Sequence, residues 1–430
     1  MTRLGQLVID LSPLRTSRDF RFVFTARLVS LLAIGMLVVA VPAQTYQLTR
    51  STLQVGGVAT TMGVTIFVGS LAGGVLADRF ERRRIIQLAR SAAGLGFLVL
   101  GVNALLATPS VLVIYLATGL DGLAGGVSGT ALMALTPTLV PREKLAAAGA
   151  LVALTTDLGS IVSPAVAGVL IASGGVAVTY FVAAAATVAT VSLINALAPS
   201  PAPGTGHEPP LRALVTGFRF AGRHRVIRGV LVVGLLTMLA SGPMVLLPAF
   251  VDRVLGAGPA TLGLLYGAPA VGAVLGSLTS GWTGRVRRTG VALLAAVALM
   301  PVGLVVLGVS GLAVVAFLGL AGHGLGRALT DILRFAVLQR NTPDELRGRI
   351  SSLWQVQVVA GTAVGSLVAG LLGGWLAPDT ALLVYGVACL LLTGALVAVF
   401  GALWRVTNDP APAAAPTPDP RPSEPAPEGD

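Results

Sequence analysis

The sequence predicts an all-α membrane protein of twelve transmembrane helices, arranged as two pseudo-symmetric halves of six helices. Hydrophobic residues make up 54% of its 430 residues and the mean hydropathy is +0.86, far above the range of soluble globular chains. Charged residues make up only 11%. Between them lie charge-free stretches long enough for a helical crossing, which needs about 20 apolar residues. A proline- and glycine-rich segment, Ala198–Pro210, divides the chain near its middle.

Twelve spans are predicted along the chain, six on each side of that segment. The N-terminus has no short apolar segment ending in a small-residue cleavage site, so we expect the first helix to stay in the protein. The predicted spans lie near 20–43, 53–77, 85–107, 110–137, 147–173, 176–198, 227–251, 261–284, 289–309, 311–335, 350–376 and 380–404.

The positive charge of the chain predicts its orientation. The formal net charge is +11, and the predicted outer loops contain only Arg50 and Arg253 as basic residues, whereas most others lie in inner loops, tails or inner helix ends. Because positive loops stay on the cytoplasmic side, both termini are predicted to be cytoplasmic. We interpret the charge as a topology signal with attraction to anionic lipid, and expect no nucleic-acid partner.

Composition excludes several chemistries. One cysteine, Cys389, excludes an internal disulfide and disfavours a thiolate metal site, and the three histidines are too scattered for a zinc pattern, so no metal or cofactor is expected. The chain has a single lysine, Lys144, which does not lie in a phosphate-binding loop. The sequence therefore predicts neither an ATPase nor another enzyme, and an ion gradient is the expected energy source.

Four segments are predicted from these patterns. Residues 1–199 form an N-terminal six-helix bundle, and 200–225 a cytoplasmic linker with a basic amphipathic stretch. Residues 226–405 form a C-terminal six-helix bundle, and the Pro-rich tail 406–430 is expected to be disordered.

The two halves resemble each other in sequence. "GSLAGGVLADRFERRR" from Gly69 aligns with "GSLTSGWTGRVRRTG" from Gly276, and "LGSIVSPAVAGVL" from Leu158 with "AGTAVGSLVAGLL" from Ala360. The matches occur in the same order, which favours a duplication. A six-plus-six duplication is the plan of transporters that bind substrate between their halves.

Charge is concentrated between spans 2 and 3, in "GGVLADRFERRR". This stretch resembles the signature of the major facilitator superfamily, in which glycine, three residues, Asp-Arg, any residue, glycine and Arg-Arg follow one another. Glu81 stands at the second glycine position. The glycines are expected to allow close helix packing, and the acid to contact a helix N-terminus or a basic partner across the halves, as a cytoplasmic gate. The alternative is a basic loop that only sets topology. The matching residues are Gly74, Asp78, Arg79, Arg82 and Arg83.

Span 5 contains "GSIVSPAVAG", which resembles the antiporter motif of superfamily exporters. Its small residues are expected to let spans 5 and 8 approach, and its proline to bend the helix. The motif favours export over uptake, although a packing role alone is the alternative. The residues concerned are Gly159, Ser163, Pro164 and Gly168.

Charges inside predicted spans are the main candidates for function, because a charge at the bilayer centre costs about 3 kcal/mol or more. Asp121, Asp157 and His323 are candidates for proton coupling, since carboxyl and imidazole groups exchange protons readily. Arg27 and Arg327 could attract an anionic substrate. The alternatives are an interfacial position for Arg27 and a purely structural ion pair between Arg327 and Asp331. Helical spacing places His323, Arg327 and Asp331 on one face of span 10.

Span 11 contributes further polar side chains in "SSLWQVQ". Trp354, Gln355 and Gln357 are candidates for substrate binding, with interhelical hydrogen bonding as the alternative.

Four further stretches extend the resemblance to the bacterial enterobactin exporter family: "LARSAAG", "AVPAQ", "GVAVTYFVAAA" and "TPDELRGRISSLWQVQ". The resemblance implies proton-driven export of a small molecule, a catecholate siderophore, across the bacterial cytoplasmic (inner) membrane. We expect the chain to work as a monomer by alternating access. Related branches export macrolides and other drugs, so a multidrug exporter is the second hypothesis. An importer and a membrane receptor or scaffold are weaker alternatives.

Overall fold

The computed structural model describes residues 10–135, 139–197, 218–283, 286, 288–343 and 346–399, and every regular element among them is a helix. Eleven helices of this described part are long and apolar enough to cross a membrane. We label those outside the longest helix as α1 (Arg18–Thr49), α2 (Thr52–Arg79), α3 (Arg82–Leu105), α4 (Val111–Leu135), α7 (Arg225–Arg253), α8 (Pro259–Leu278), α9 (Thr289–Val309), α10 (Ala313–Asn341), α11 (Arg347–Trp375) and α12 (Pro378–Val399). A 3-10 turn, Gly242–Leu246, interrupts α7.

The longest helix, Leu145–Asn195, is broken at Gly175, which has φ 78° and ψ 175°. Glycine adopts such a positive φ readily because it has no Cβ. The arms fold back on each other, since Thr156 and Thr190 contact the same turn of α1, at the Arg27 side chain and the Ala26 carbonyl. We label the arms α5 (145–174) and α6 (176–195). The longest helix counts as one of the eleven spans, and twelve crossings result only if its two arms cross the membrane separately. The number of twelve therefore stays a prediction.

The helices pack in two sets with the same pattern. In the first set α2 packs on α4, and α3 packs on α4 and α6; in the second set α8 packs on α10, and α9 packs on α10 and α12. Adding six to each helix number of the first set gives the second. The main contacts between the sets are α2 with α11 and α5 with α8. The same rule turns α2 into α8 and α5 into α11, so the two contacts are equivalent. The arrangement is the one expected of a duplicated chain. We call the sets the N half and the C half.

Short segments flank the bundles at the end where α1 begins. The helix Ser12–Thr16 precedes α1, and the Ser17 hydroxyl donates to the Leu139 carbonyl at 2.9 Å. Residues 218–223 form a short helix before α7. Most of the predicted linker, and all of the predicted tail, lie outside the described residues.

Candidate functional site

The two halves meet closely where α2 begins and α11 ends. The Thr52 hydroxyl donates to the Gly370 carbonyl at 3.0 Å, and the Thr60 hydroxyl donates to the Ala363 carbonyl at 3.1 Å. A Cβ on Gly56 would lie 2.7 Å from the carbonyl oxygen of Ser366 in α11. Backbones approach this closely only where side chains are small.

A second seam joins α5 to α8 at the same end of the bundle. A Cβ on Gly168 would lie 2.7 Å from the Pro259 carbonyl oxygen, and a Cβ on Gly263 would overlap the Pro164 carbonyl oxygen. Gly168 and Pro164 of the predicted motif therefore lie at the boundary between the halves. We call the end that contains both seams the closed end.

The other two residues of that motif face a different neighbour. A Cβ on Gly159 would lie 2.9 Å from the Leu31 Cβ, and a Cβ on Gly35 would overlap the Ser163 hydroxyl. The Ser163 hydroxyl donates to the Gly159 carbonyl. Gly159 and Ser163 thus pack α5 on α1 inside the N half, so one motif contributes to two interfaces.

Beyond the seams the halves enclose a cavity of about 560 Å³, lined by α1, α5, α7, α8 and α10. Most of the residues that line it are apolar, and many of them have small side chains. The side chains of Asp157 and Ser160 are exposed on α5, and the Tyr266 hydroxyl donates to the Met244 carbonyl at 3.0 Å. Arg327 and Asp331 contribute charges from α10. The wall therefore presents carboxylates, a guanidinium and hydroxyls to a ligand.

Arg327 and Asp331 form the predicted ion pair, with 3.9 Å between Nε and Oδ2. The pair is half-buried, with side chains 46% and 33% exposed. The other carboxylate oxygen accepts from Arg334 Nη1 at 3.3 Å. Arg334 also donates to Gln357 Oε1 at 3.1 Å and stacks on Trp354, 4.1 Å from the ring centroid. Two of the predicted polar residues of span 11 thus contact Arg334.

The third residue of that group lies elsewhere. Gln355 is exposed and lines a separate pocket of about 240 Å³ between α10 and α11, together with Phe335 and Leu338. The two glutamines of "WQVQ" therefore lie in different environments.

His323 does not share a wall with the ion pair. Its side chain is buried, and its Nδ1 lies 3.1 Å from the Met300 carbonyl oxygen of α9. Because an α-helix has 3.6 residues per turn, residues spaced four apart are each rotated a little further around the axis. Over the two steps from Asp331 to His323 this rotation turns His323 towards α9. The three residues predicted on one face are therefore divided between the cavity and the C-half interior.

Asp121 lies inside the N half, 4% exposed. Its charged neighbour is Arg90 of α3, which is itself close enough to Arg27 for their charges to interact. Arg90 lies within a predicted span, so the reasoning that singled out Asp121 applies to it equally, but it was not among the predicted site residues. Arg27 joins α1 to α5 by donating to the Thr156 hydroxyl at 3.4 Å.

The structure corrects the packing role predicted for Gly74. Among the described residues, no atom outside the adjoining backbone of its own helix lies within 4 Å of the position that its Cβ would take, whereas a Cβ on Gly73 would lie 2.7 Å from the Val127 Cα of α4. One helix position is about 100° of rotation, so the neighbouring glycine faces α4 instead. Glu81 has φ −59°, and the turn therefore needs no glycine there.

The charged residues of the same signature occupy a helix junction. Arg79 ends α2 and Arg82 begins α3. Arg83 donates to the Leu197 carbonyl at 2.6 Å and to the carbonyl and side-chain oxygens of Asn195 at 2.7 and 2.9 Å, which caps the C-terminus of α6. The side chain of Asp78 lies outside the described residues.

Comparison with protein families identifies this architecture. The model of a family described as "Transmembrane secretion effector" matches residues 9–424. The chain belongs to the transmembrane secretion effector family, within the major facilitator superfamily. This confirms the predicted superfamily and its all-α membrane fold. Members similar to this chain include the enterobactin exporter EntS of Citrobacter koseri, 41% identical over 94% of this chain and 97% of its own, and that of Escherichia coli O81, 40% identical over the same shares.

Solved transporter structures share the fold at low sequence identity. The nucleoside transporter NupG matches with a TM-score of 0.73 and 12% identity, covering 90% of this chain and all of its own. A bacterial homologue of the iron transporter ferroportin, in an inward-facing state, matches with a TM-score of 0.68 and 16% identity, covering 90% of this chain and 99% of its own. This secretion effector is a multi-pass membrane transporter and not an enzyme.

Proposed function

We propose that this chain exports a siderophore of the catecholate type across the bacterial cytoplasmic membrane in exchange for protons. The observation that carries the proposal is the identity of about 40% to enterobactin exporters over nearly the whole chain. The similarity spans both halves and therefore the cavity between them. A catecholate presents many hydroxyl and amide groups, which the carboxylates, hydroxyls and guanidinium of the cavity wall can bind.

The proposed mechanism is alternating access by a monomer. The N half and the C half act as two rigid bundles, with the predicted boundaries of 1–199 and 226–405. The positive loops predict that α1 begins on the cytoplasmic side and ends on the outer side. The closed end lies where α1 ends and α2 begins, and it is therefore assigned to the outer face. This state then accepts substrate from the cytoplasm, and opening of both seams releases it outside. Protons returning down their gradient supply the energy.

The test is accumulation of radiolabelled, iron-free enterobactin in inside-out vesicles that contain the chain. A gradient of one pH unit stores about 1.4 kcal/mol per proton, enough for a tenfold concentration ratio. We expect uptake that rises with the gradient and collapses with an uncoupler. Vesicles without the chain, and vesicles with Asp379→Asn, an acid at the first turn of α12, are the controls. The latter should transport like the wild type.

Absence of uptake by the folded chain under an intact gradient would contradict siderophore export. Uptake that unrelated compounds such as erythromycin and ethidium abolish by competition would instead indicate a multidrug exporter. Gradient-independent uptake would contradict proton coupling while leaving the substrate assignment in place.

A further inference from the structure

Arg334 is the most deeply buried charged side chain that the structure describes in α10, 1% exposed. A charge is held in such a place only when other groups compensate for lost water. Among the described residues three groups do so: the Asp331 carboxylate, the Gln357 amide oxygen and the Trp354 ring. They come from two helices, so Arg334 links α10 to α11.

The guanidinium is also fixed from α7. Gln357 Nε2 donates to the Leu231 carbonyl at 2.7 Å, which orients the amide oxygen towards Arg334. A Cβ on Gly234 would overlap Arg334 Nη2, so glycine leaves the space that the guanidinium fills. Arg334 is therefore confined by α7, α10 and α11.

Asp331 lies between this confined guanidinium and a more exposed one. Its Oδ1 faces Arg334 and its Oδ2 faces Arg327, whose side chain is nearly half exposed in the cavity. One side of the carboxylate is thus held by the protein interior, and the other can be reached by a ligand or by water.

We propose that Asp331 is the carboxyl group that exchanges the coupling proton, and that Arg334 is the positioning residue that holds it at the cavity wall. The proposal rests on the proposed function and deepens it. Hydroxyl or amide donors of the substrate bind the ionised carboxylate, whereas a proton on the same oxygen removes that acceptor. Substrate and proton therefore compete for one group, so that the binding of each weakens the binding of the other, which couples them for exchange.

Other charged or titratable groups surround this position. From α5 and α8 they are Asp157 and Tyr266, which line the same cavity. From α10 itself they are Arg327, Arg334 and His323. The α9 sequence, Thr289–Val309, contains no charged residue, and the groups from α7 and α11 that contact Arg334 do not titrate.

Trp354 provides a reporter that needs no substrate, because its ring stacks on Arg334. We would use the full chain with Trp282→Phe, Trp375→Phe and Trp404→Phe, and follow Trp354 emission over about pH 5 to 9. The expected result is a single titration that is lost in Asp331→Asn and kept in Asp157→Asn and Asp121→Asn. Emission that is flat in the parent chain, or a titration that survives Asp331→Asn, would overturn the proposal.

Transport measurements then test the positioning role. Removing a neighbouring positive charge favours the protonated carboxyl, so the pH midpoint of enterobactin exchange should rise by about 1 to 3 units in Arg334→Gln. Arg334→Lys retains the charge and should return the midpoint towards that of the parent chain. An unchanged midpoint in Arg334→Gln would contradict positioning. A Trp354 titration that depends on Asp331, in a chain that does not transport enterobactin, would contradict the proposed substrate and leave this inference standing.

Discussion

Arg50 Nη1 lies 2.6 Å from Asp252 Oδ2 and joins the loop after α1 to the last turn of α7. The pair thus connects the N half to the C half beyond the closed-end seams. Tyr46 lies between Arg50 and Arg253, with its ring centroid 5.7 and 5.8 Å from the two guanidinium carbons. The loop after α1 and the last turn of α7 therefore contribute to the closed end, together with the packed seams.

Breaking this pair should weaken the closed end only modestly. Exposed ion pairs contribute about 0.2 to 1 kcal/mol, so Asp252→Asn should raise the ratio of open to closed molecules by up to about fivefold. Distances between spin labels on the two halves would measure that ratio. The double variant Arg50→Asp with Asp252→Arg should restore the closed population, and failure to restore it would show that the pair itself is not responsible.

The seam between α5 and α8 should be far less tolerant. In Gly263→Val the new side chain would collide with the Pro164 carbonyl, and backbone atoms cannot move aside without separating the halves. We expect gradient-driven accumulation to be lost although the protein still folds. The matched control is Gly374→Val, because no described atom outside the adjoining helix backbone lies within 4 Å of that Cβ position. Equal transport by both variants would show that close approach at this seam is not required.

Two adjacent glycines of the signature should respond in opposite directions. Gly74→Ala adds a methyl group in open space and should stabilise α2 by about 0.5 to 1 kcal/mol through the better helix propensity of alanine. Gly73→Ala places the methyl against the Val127 backbone and should destabilise the chain by about 1 to 3 kcal/mol. Thermal unfolding in detergent would measure both. Equal midpoints would contradict the assigned orientation of α2.

Arg83 should contribute to stability as a helix cap. Arg83→Gln removes the hydrogen bonds to Asn195 and Leu197 and should cost on the order of 1 kcal/mol, since part of the side chain is exposed to solvent. Arg84→Gln is the matched control, because Arg84 is 79% exposed and pairs with Glu81 of the same junction at 2.8 Å. Thermal midpoints that fall equally in both variants would indicate a general effect of charge instead of capping.

The sequence by itself determined the membrane class and the order of the helices, and its predicted boundary between the spans 147–173 and 176–198 falls where the structure breaks the longest helix at Gly175. These features follow from the length of apolar runs and from local backbone preferences, which are properties of neighbouring residues. The repeat also predicted correctly that the chain forms two related helix sets. The ion pair of Arg327 and Asp331 could be predicted from the sequence for the same reason, because the two residues are one helical turn apart.

Only the tertiary structure decided which neighbour each helix face meets. Gly73 and Gly74 are alike in sequence, and α4 distinguishes them by lying against one of them. From the sequence, His323 could face either a cavity or a neighbouring helix, and the structure places it against the Met300 carbonyl of α9. Helical periodicity defines a face but not its partner, so contacts between residues distant in the chain, such as Arg334 with Gln357, follow from packing alone.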